Sequence, residues 1–552
     1  MSTSSTRFSV NKKTSSTFGP GESKQTDSSS LDVPERLWRI GALTSLAVGT
    51  FLRVYDLNLV PLHHDEGVNG NFLVKLVRDG VYQYDPQNYH GPTLYYFSAF
   101  VPWLLQILFG NSARETYGLT TISIRLVPAL FGVATIWLIL LLRKYVGSIA
   151  ALSGALLLAL SPGAVYLSRY FIHETLFVFF TLGIVVAILR CFSERNPFYL
   201  LLAAASAGLM FATKETALIS AGVLLIALAI TLVYGRLFKH SPSPSRTKRK
   251  QKEPSRIGFS GYVYELGGPI NVLVWLTLAV LVFLGLNILF YSSFFNNYPK
   301  GIYDALRTFD FWSKTGKKDH IHPITTYAKW LFQQESALLL LGSLGAIAAV
   351  FNRKRPVGLF CSLWAFGLVA AYSLIPYKTP WLVLNFIVPL AIAAGYAIQT
   401  VYENDHRQLR LPAVILFAAI CINSYQTVDL NFVNYDNDDT YYVYVYAHTK
   451  RDTTELVDEI DKIAHQANQG STGITIMSPD YWPLPWYLRN YSRVGYYGRL
   501  TQTSEPIVIA NETQRTEVEG TLGPQYQLVP SGSATGAFAL RPGVDLLLYV
   551  RR

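Results

Sequence analysis

Two imidazoles and two acids stand side by side in Leu62-His63-His64-Asp65-Glu66-Gly67, and another imidazole follows in Tyr89-His90-Gly91-Pro92. A carboxylate held at a partly dry surface gains basicity and can accept the proton of an attacking hydroxyl, so Asp65 and Glu66 are candidates for general base chemistry. The same acids could instead cap a helix, because Asp at a helix start bonds the free N–H groups of its first turn. Glu174 closes the run Ser168-Arg169-Tyr170-Phe171-Ile172-His173-Glu174 and carries the same ambiguity between chemistry and a favourable place at a helix N-terminus. Four cations, Arg125, Arg169, Lys214 and Lys378, lie at the ends of apolar runs. One such cation normally snorkels to the interface, but several together suit a phosphate, which they could hold and stabilise as it departs. His64 and His90 join them as candidate substrate contacts. His320 and His322 share a face of an extended strand, yet two imidazoles without a third ligand make a weak metal site, so no cofactor is demanded and a divalent metal stays open.

These residues need a scaffold, and the composition says which kind. The 552 residues are 50% hydrophobic and only 15% charged, with a mean hydropathy of +0.24. Soluble domains carry about 25% charged residues, so long segments must avoid water. Three cysteines, Cys191, Cys361 and Cys421, exclude a disulfide framework. The net charge of +11 is no nucleic-acid footprint, because most of the excess sits in one loop, residues 236–256, between two apolar runs.

A crossing helix needs about 20 mostly apolar residues. Runs that meet or approach this stand at 38–56, 124–142, 146–166, 175–191, 198–212, 216–234, 270–291, 330–351, 357–376, 381–402 and 411–424, which predicts eleven crossings. Residues 94–110 are also apolar. If they crossed, every basic cluster downstream would fall outside the cell, so they are expected to lie in the interface as an amphipathic helix. With the Ser/Thr-rich tail of residues 1–37 disordered in the cytoplasm, Asp65, Glu174, Lys214 and Lys378 all face outward. Residues 425–552 return to ordinary polarity, with β-like runs at 473–477, 506–510 and 544–549 and a helical pattern over 453–467. They predict a small extracytoplasmic α/β domain.

The order of these elements resembles the protein mannosyltransferase-like C-type membrane glycosyltransferases, the group that includes aminoarabinose transferases. Arg125-Leu126-Val127-Pro128-Ala129-Leu130, Ser168-Arg169 followed by Glu174, and Thr213-Lys214 carry the likeness, over residues 38–235 and more loosely 330–400. His-His-Asp-Glu-Gly at 63–67 and Tyr-Lys-Thr-Pro-Trp at 377–381 resemble, more narrowly, a bacterial and archaeal branch named for association with a lipid-linked oligosaccharide flippase.

The resemblance implies transfer of a sugar from a polyprenyl-phosphate donor to a hydroxyl of a glycan, lipid or protein at the outer face of the cell membrane. It implies Asp65 as base, Glu66 as a neighbour that orients acceptor or metal, and Glu174 as the acid of the second outer loop. Glu174 stands where Asp is common, and Gly91-Pro92-Thr93-Leu94 replaces the Pro-Pro-Leu-Gly of protein mannosyltransferases, so the acceptor need not be protein. A glycan flippase and a non-catalytic envelope scaffold are the rivals. Transporters place ionisable groups near the midplane and repeat their halves; here the acids lie at outer ends and no repeat shows.

Overall fold

The computed structural model describes residues 33–88, 90–110, 116–238, 259–314, 320–352, 355–404, 408–438, 440–467 and 472–552. The expected tail lies outside the described residues up to position 32, as does most of the basic loop 236–256, and the first helix already begins at Glu35.

Among the described residues, eight helices are long and apolar enough to cross a membrane, or ten if each of two bent pairs is one crossing. In chain order the principal helices are α1 (Glu35–Val54), α2 (His64–Arg78), α3 (Thr93–Phe109), α4 (Thr121–Leu140), α5 (Ser148–Ala159), α6 (Pro162–Ser168), α7 (Glu174–Glu194), α8 (Phe198–Phe211) and α9 (Ala217–Leu237). They continue as α10 (Pro269–Tyr291), α11 (Thr326–Gln334), α12 (Ser336–Phe351), α13 (Pro356–Leu374), α14 (Leu384–Asn404) and α15 (Arg410–Val428). The chain is therefore a multi-pass membrane protein. Each of the eleven expected runs falls on a helix. The run at 198–212 becomes α8, whose 14 residues reach about 21 Å, short of a straight crossing of about 30 Å.

Helix α3 departs from expectation. Leu94, Tyr95, Ser98 and Ala99 are buried, but its outer face carries Phe100, Trp103, Ile107, Leu108 and Phe109 rather than charge. That face suits lipid tails, so the helix is apolar all round and not amphipathic.

Small residues let the central helices approach. In the segment containing α14, 94% of the apolar window is buried. A Cβ at Gly345 of α12 would fall 1.9 Å from the Ala393 carbonyl oxygen, and one at Gly154 of α5 would fall 2.8 Å from that of Ala391. Only glycine allows such contact, the usual way apolar helices gain packing where lipid offers no hydrophobic drive.

The two bends lie side by side. Helices α5 and α6 meet at 60°, α11 and α12 at 113°. Glu335, between the second pair, accepts from the Ser161 hydroxyl and the Gly163 N–H in the first, both at 2.8 Å. From α1, Arg53 donates to the freed carbonyls of Leu158 and Ala159, each at 3.1 Å. Broken helices persist in an apolar body only when their loose backbone groups find such partners.

After a helix at Asp452–Ala467 the chain forms a six-stranded sheet. Its strands are β1 (Ile474–Ile476), β2 (Val494–Tyr496), β3 (Ile507–Asn511), β4 (Tyr526–Val529), β5 (Phe538–Arg541) and β6 (Val544–Arg551), in the order β2-β1-β3-β6-β4 with β5 also on β6. The β1 pairings are parallel and the β6 pairings antiparallel. Alternation sorts Ile507, Ile509, Leu546 and Leu548 to one face, and Val508, Ala510, Leu547 and Tyr549 to the other. Residues 482–487 seat this unit on α2. A Cβ at Gly67 would meet Pro483 at 2.7 Å and one at Gly70 would meet the Trp486 ring at 2.6 Å, while the Tyr487 hydroxyl accepts from the Leu62 N–H at 2.9 Å.

Candidate active site

The start of α2 resolves which acid is a cap. His63 precedes the helix, and its Nδ1 accepts from the Asp65 N–H at 3.0 Å. Glu66 reaches back to accept from the His63 N–H, also at 3.0 Å. This is a capping box built from His63 and Glu66. The carboxylate of Asp65 has no part in it and is 41% exposed.

Glu66 is fully buried. Arg125 of α4 binds it through two nitrogens, Nε at 2.7 Å and an NH2 group at 2.5 Å, and the Phe171 N–H donates to it at 2.7 Å. The same guanidinium donates to the carbonyls of Leu57 and Val60, both at 2.8 Å. One turn on from Glu66, Asn69 donates to the Phe171 carbonyl at 3.0 Å and accepts from the Tyr95 hydroxyl at 2.9 Å. Positions three apart share a helix face, so Glu66 and Asn69 together strap residues 169–173 to α2. Asp65 is thereby brought to the loop that leads into Glu174.

A second strap comes from Gly91. Its N–H donates to the Thr213 carbonyl at 3.0 Å, and His90 pairs with Lys214 as an isolated antiparallel bridge. A Cβ on Gly91 would stand 2.1 Å from the Ala212 carbonyl oxygen. Gly91→Ala should therefore push the two loops apart and lower stability by about 1–3 kcal/mol, the usual cost of overpacking. An unchanged thermal midpoint of the purified variant would refute that.

These straps enclose a cavity of about 1000 Å³, the upper end of the range for small-molecule sites. Asp65, His64, His90, Glu174 and Lys214 line it. Lys214 is ion-paired with Glu174. Burial works against its charge, but the carboxylates of Glu174 and Glu215 outweigh that and hold the ammonium above its ordinary range. Glu215 receives His90 at 3.2 Å; burial would raise its carboxyl, yet His90 and Lys214 hold it below the usual value. Burial also keeps His64 less basic than a free imidazole, against the pull of Asp65.

Glu66, Arg125, Arg169 and Lys378 lie off the cavity wall, whereas His320 is on it. Glu66 and Arg125 neutralise each other behind it. Arg169 spends its guanidinium on the carbonyls of Leu52, Tyr55 and Asp56, where α1 ends. Lys378 is buried and donates to the carbonyls of His322 and Ile375. Helix C-termini leave carbonyls unpaired, and a nearby cation satisfies them. Of the four expected phosphate-binding cations, Lys214 alone lines the cavity.

The residues present do not fit a divalent ion. Among the described residues, no three His, Cys, Asp or Glu side chains gather, and the carboxylates of Glu66 and Glu174 are committed to Arg125 and Lys214. His320 Nδ1 instead meets the Tyr446 hydroxyl at 2.6 Å, and the His322 ring packs at 5.5 Å from Trp330. His173, Glu215, Thr216, Tyr372 and Thr379 also line the cavity. Two of these five, His173 and Glu215, directly flank Glu174 and Lys214 in sequence, a signal that was available.

Residues 98–243 match the family model described as dolichyl-phosphate-mannose-protein mannosyltransferase. A search of curated proteins gives no match. Among solved structures, the chain is similar to ArnT from Cupriavidus metallidurans bound to undecaprenyl phosphate, with a TM-score of 0.62 at 14% identity over 93% of this chain and 98% of that one. It is also similar to the Archaeoglobus fulgidus oligosaccharyltransferase in complex with Zn and sulfate, with a TM-score of 0.50 at 14% identity over 91% of this chain and 73% of that one. A further match is the same organism's AglB in complex with an inhibitory peptide and a dolichol-phosphate, at 0.50 and 13% over 87% and 70%. The fold is ArnT-like.

Proposed function

We propose that this chain is a membrane glycosyltransferase that moves a sugar from a polyprenyl-phosphate carrier to an acceptor hydroxyl at the outer membrane face, with Asp65 as base. One observation carries the reading: in the 63–66 run, capping falls to His63 and Glu66, which leaves the Asp65 carboxylate at a cavity it shares with Glu174 and Lys214. The fold shared with a protein that binds undecaprenyl phosphate, and the family match over residues 98–243, support it. Asp65 takes the acceptor's proton as the acceptor oxygen bonds to the anomeric carbon. The bond from that carbon to the phosphate oxygen breaks, and the lipid phosphate leaves with the electron pair. Lys214 then lies near the charge that develops on the departing group. His64 and His90 contact sugar or acceptor, and a glycan, lipid or protein can supply the hydroxyl.

The test is turnover by the purified full-length protein with decaprenyl-phosphate sugars. Release of decaprenyl phosphate that depends on a hydroxyl acceptor supports the reading; none with any neutral hexosyl or pentosyl donor counts against it.

The reading requires the site to face outward, with eleven crossings, residues 38–424 as the membrane domain and residues 425–552 outside. Ser245 belongs to the basic loop, and Ala534 is exposed on the sheet domain. With the three native cysteines replaced, a membrane-impermeant thiol reagent applied to intact cells should label Ala534→Cys and spare Ser245→Cys. The reverse pattern overturns the orientation.

A further inference from the structure

A row of aromatic rings leads out of the cavity. His64 lines the wall one residue before Asp65, and its ring stands 6.2 Å from that of Trp482. Tyr481 follows Trp482 at 5.9 Å, and Tyr496 of β2 follows Tyr481 at 5.2 Å, with ring planes only 32° and 41° apart. The row therefore runs from the residue beside the candidate base onto the sheet domain. Two local features set it there. Gly67, one turn of α2 on from His64, lacks a side chain, and a Cβ on it would stand 3.2 Å from the Trp482 ring. Parallel pairing places Tyr496 opposite Ile476, the last residue of β1, beside the segment that leads to Tyr481.

These rings are not spent on a core. Trp486, four residues on, is buried against Gly70. Tyr496 by contrast keeps 36% of its surface exposed, and Trp482 and Tyr481 are partly exposed. Among the described residues, nothing bonds the Trp482 indole N–H or the hydroxyls of Tyr481 and Tyr496, and these groups stay open to solvent. An ion pair, Asp480 with Arg541, stands close enough to act on the charge of His64.

Aromatic faces in line, with polar groups at their margins, suit one kind of molecule. The C–H face of a sugar packs on an aromatic face while its hydroxyls bond groups at the rim. A chain of sugars offers that face again at each unit. A lipid tail would leave the indole N–H, the phenols and the ion pair unused. A peptide would rely on main-chain bonds to a strand edge rather than on ring faces.

We infer that Trp482, Tyr481 and Tyr496 are a stacking platform for a saccharide-chain acceptor, which passes His64 so that its terminal hydroxyl reaches Asp65. This rests on the transferase reading above and specifies its acceptor class, a glycan of several rings.

The experiment measures binding of linear oligosaccharides to the full-length protein in lipid nanodiscs, without donor. The probes are gluco-, manno-, galacto- and arabino-oligosaccharides of one, two, four and six rings. At least one series should bind more tightly as it lengthens. Tyr496→Ser and Trp482→Ala should each weaken its six-ring member about three- to tenfold, the yield of one stacking contact. Tyr496 lies at the far end of the row, so Tyr496→Ser should spare the two-ring member, a dependence on length that general loosening of the domain would not give. Because Trp482 also packs on α2, Trp482→Phe and Tyr496→Phe, which keep a ring, serve as second variants and should retain most of the affinity. Equal affinity at every length, no binding by any six-ring probe, or an equal loss at all lengths in Tyr496→Ser overturns the platform. Tighter binding of a Ser/Thr-rich dodecapeptide than of every saccharide also overturns it and makes the row a peptide cleft. The transferase reading is scored separately, by acceptor-dependent release of decaprenyl phosphate. Release with a simple hydroxyl acceptor but no length-dependent binding sinks the platform alone, whereas length-dependent binding without release sinks the transferase and leaves a glycan-binding surface.

Discussion

Asp65→Asn is expected to lower sugar transfer by a factor of about a hundred or more while leaving the fold intact, the usual range when a general base is removed. The amide has the size of the carboxylate but no basicity. Had Asp65 been the helix cap, Asn would replace it well, since Asn and Asp cap about equally. The structure removes that alternative, because His63 and Glu66 cap α2. Transfer near the parental rate by an equally stable Asp65→Asn variant would move the base elsewhere, with Glu174 the next acid to test.

Removing the Arg125 guanidinium should have the largest effect on stability. Arg125→Met keeps much of the apolar stem but leaves Glu66 buried at 0% exposure without its counter-charge. Breaking a buried pair in this way costs about 3–5 kcal/mol. A lower thermal midpoint and faster proteolysis of the 57–63 and 169–173 loops are the readouts. Adding Glu66→Gln to the same chain should recover part of the loss, since the orphaned charge is gone. A single variant as stable as the parent would show that the pair contributes nothing to holding those loops. Glu66→Gln alone should act chiefly on stability, in contrast to Asp65→Asn.

Much of the membrane body was legible because crossing helices announce themselves as long apolar runs, and each expected run lies on a helix. Short strands were not: β2, β4 and β5 have three or four residues each, too few to establish alternation. For the site, Asp65, Glu174, Lys214, His64 and His90 were found as residue types near the ends of apolar runs, and all five line one cavity. Arg125, Arg169, Lys378 and Glu66 were indistinguishable from them in sequence. A cation at the end of an apolar run looks the same whether it faces a ligand or the unpaired carbonyls of a helix terminus. Only the fold shows that Arg169 caps α1 and that Arg125 neutralises Glu66. His173 escaped notice for the opposite reason: its ring bonds the Gly91 carbonyl, a contact between residues 82 apart in sequence.

The seat of Trp486 against Gly70 also sets an order of events during biosynthesis. Helix α2 leaves the ribosome early, yet the surface it rests on is made roughly 420 residues later, a wait of about 20–80 s at ordinary elongation rates. Throughout that interval Asp65 sits on a helix with one flank unsupported. A chain stopped before residue 480 would insert its crossings but leave Gly67 and Gly70 bare, so late nonsense mutations should yield membrane-inserted, inactive protein, cleaved by added protease within α2 where the complete chain resists.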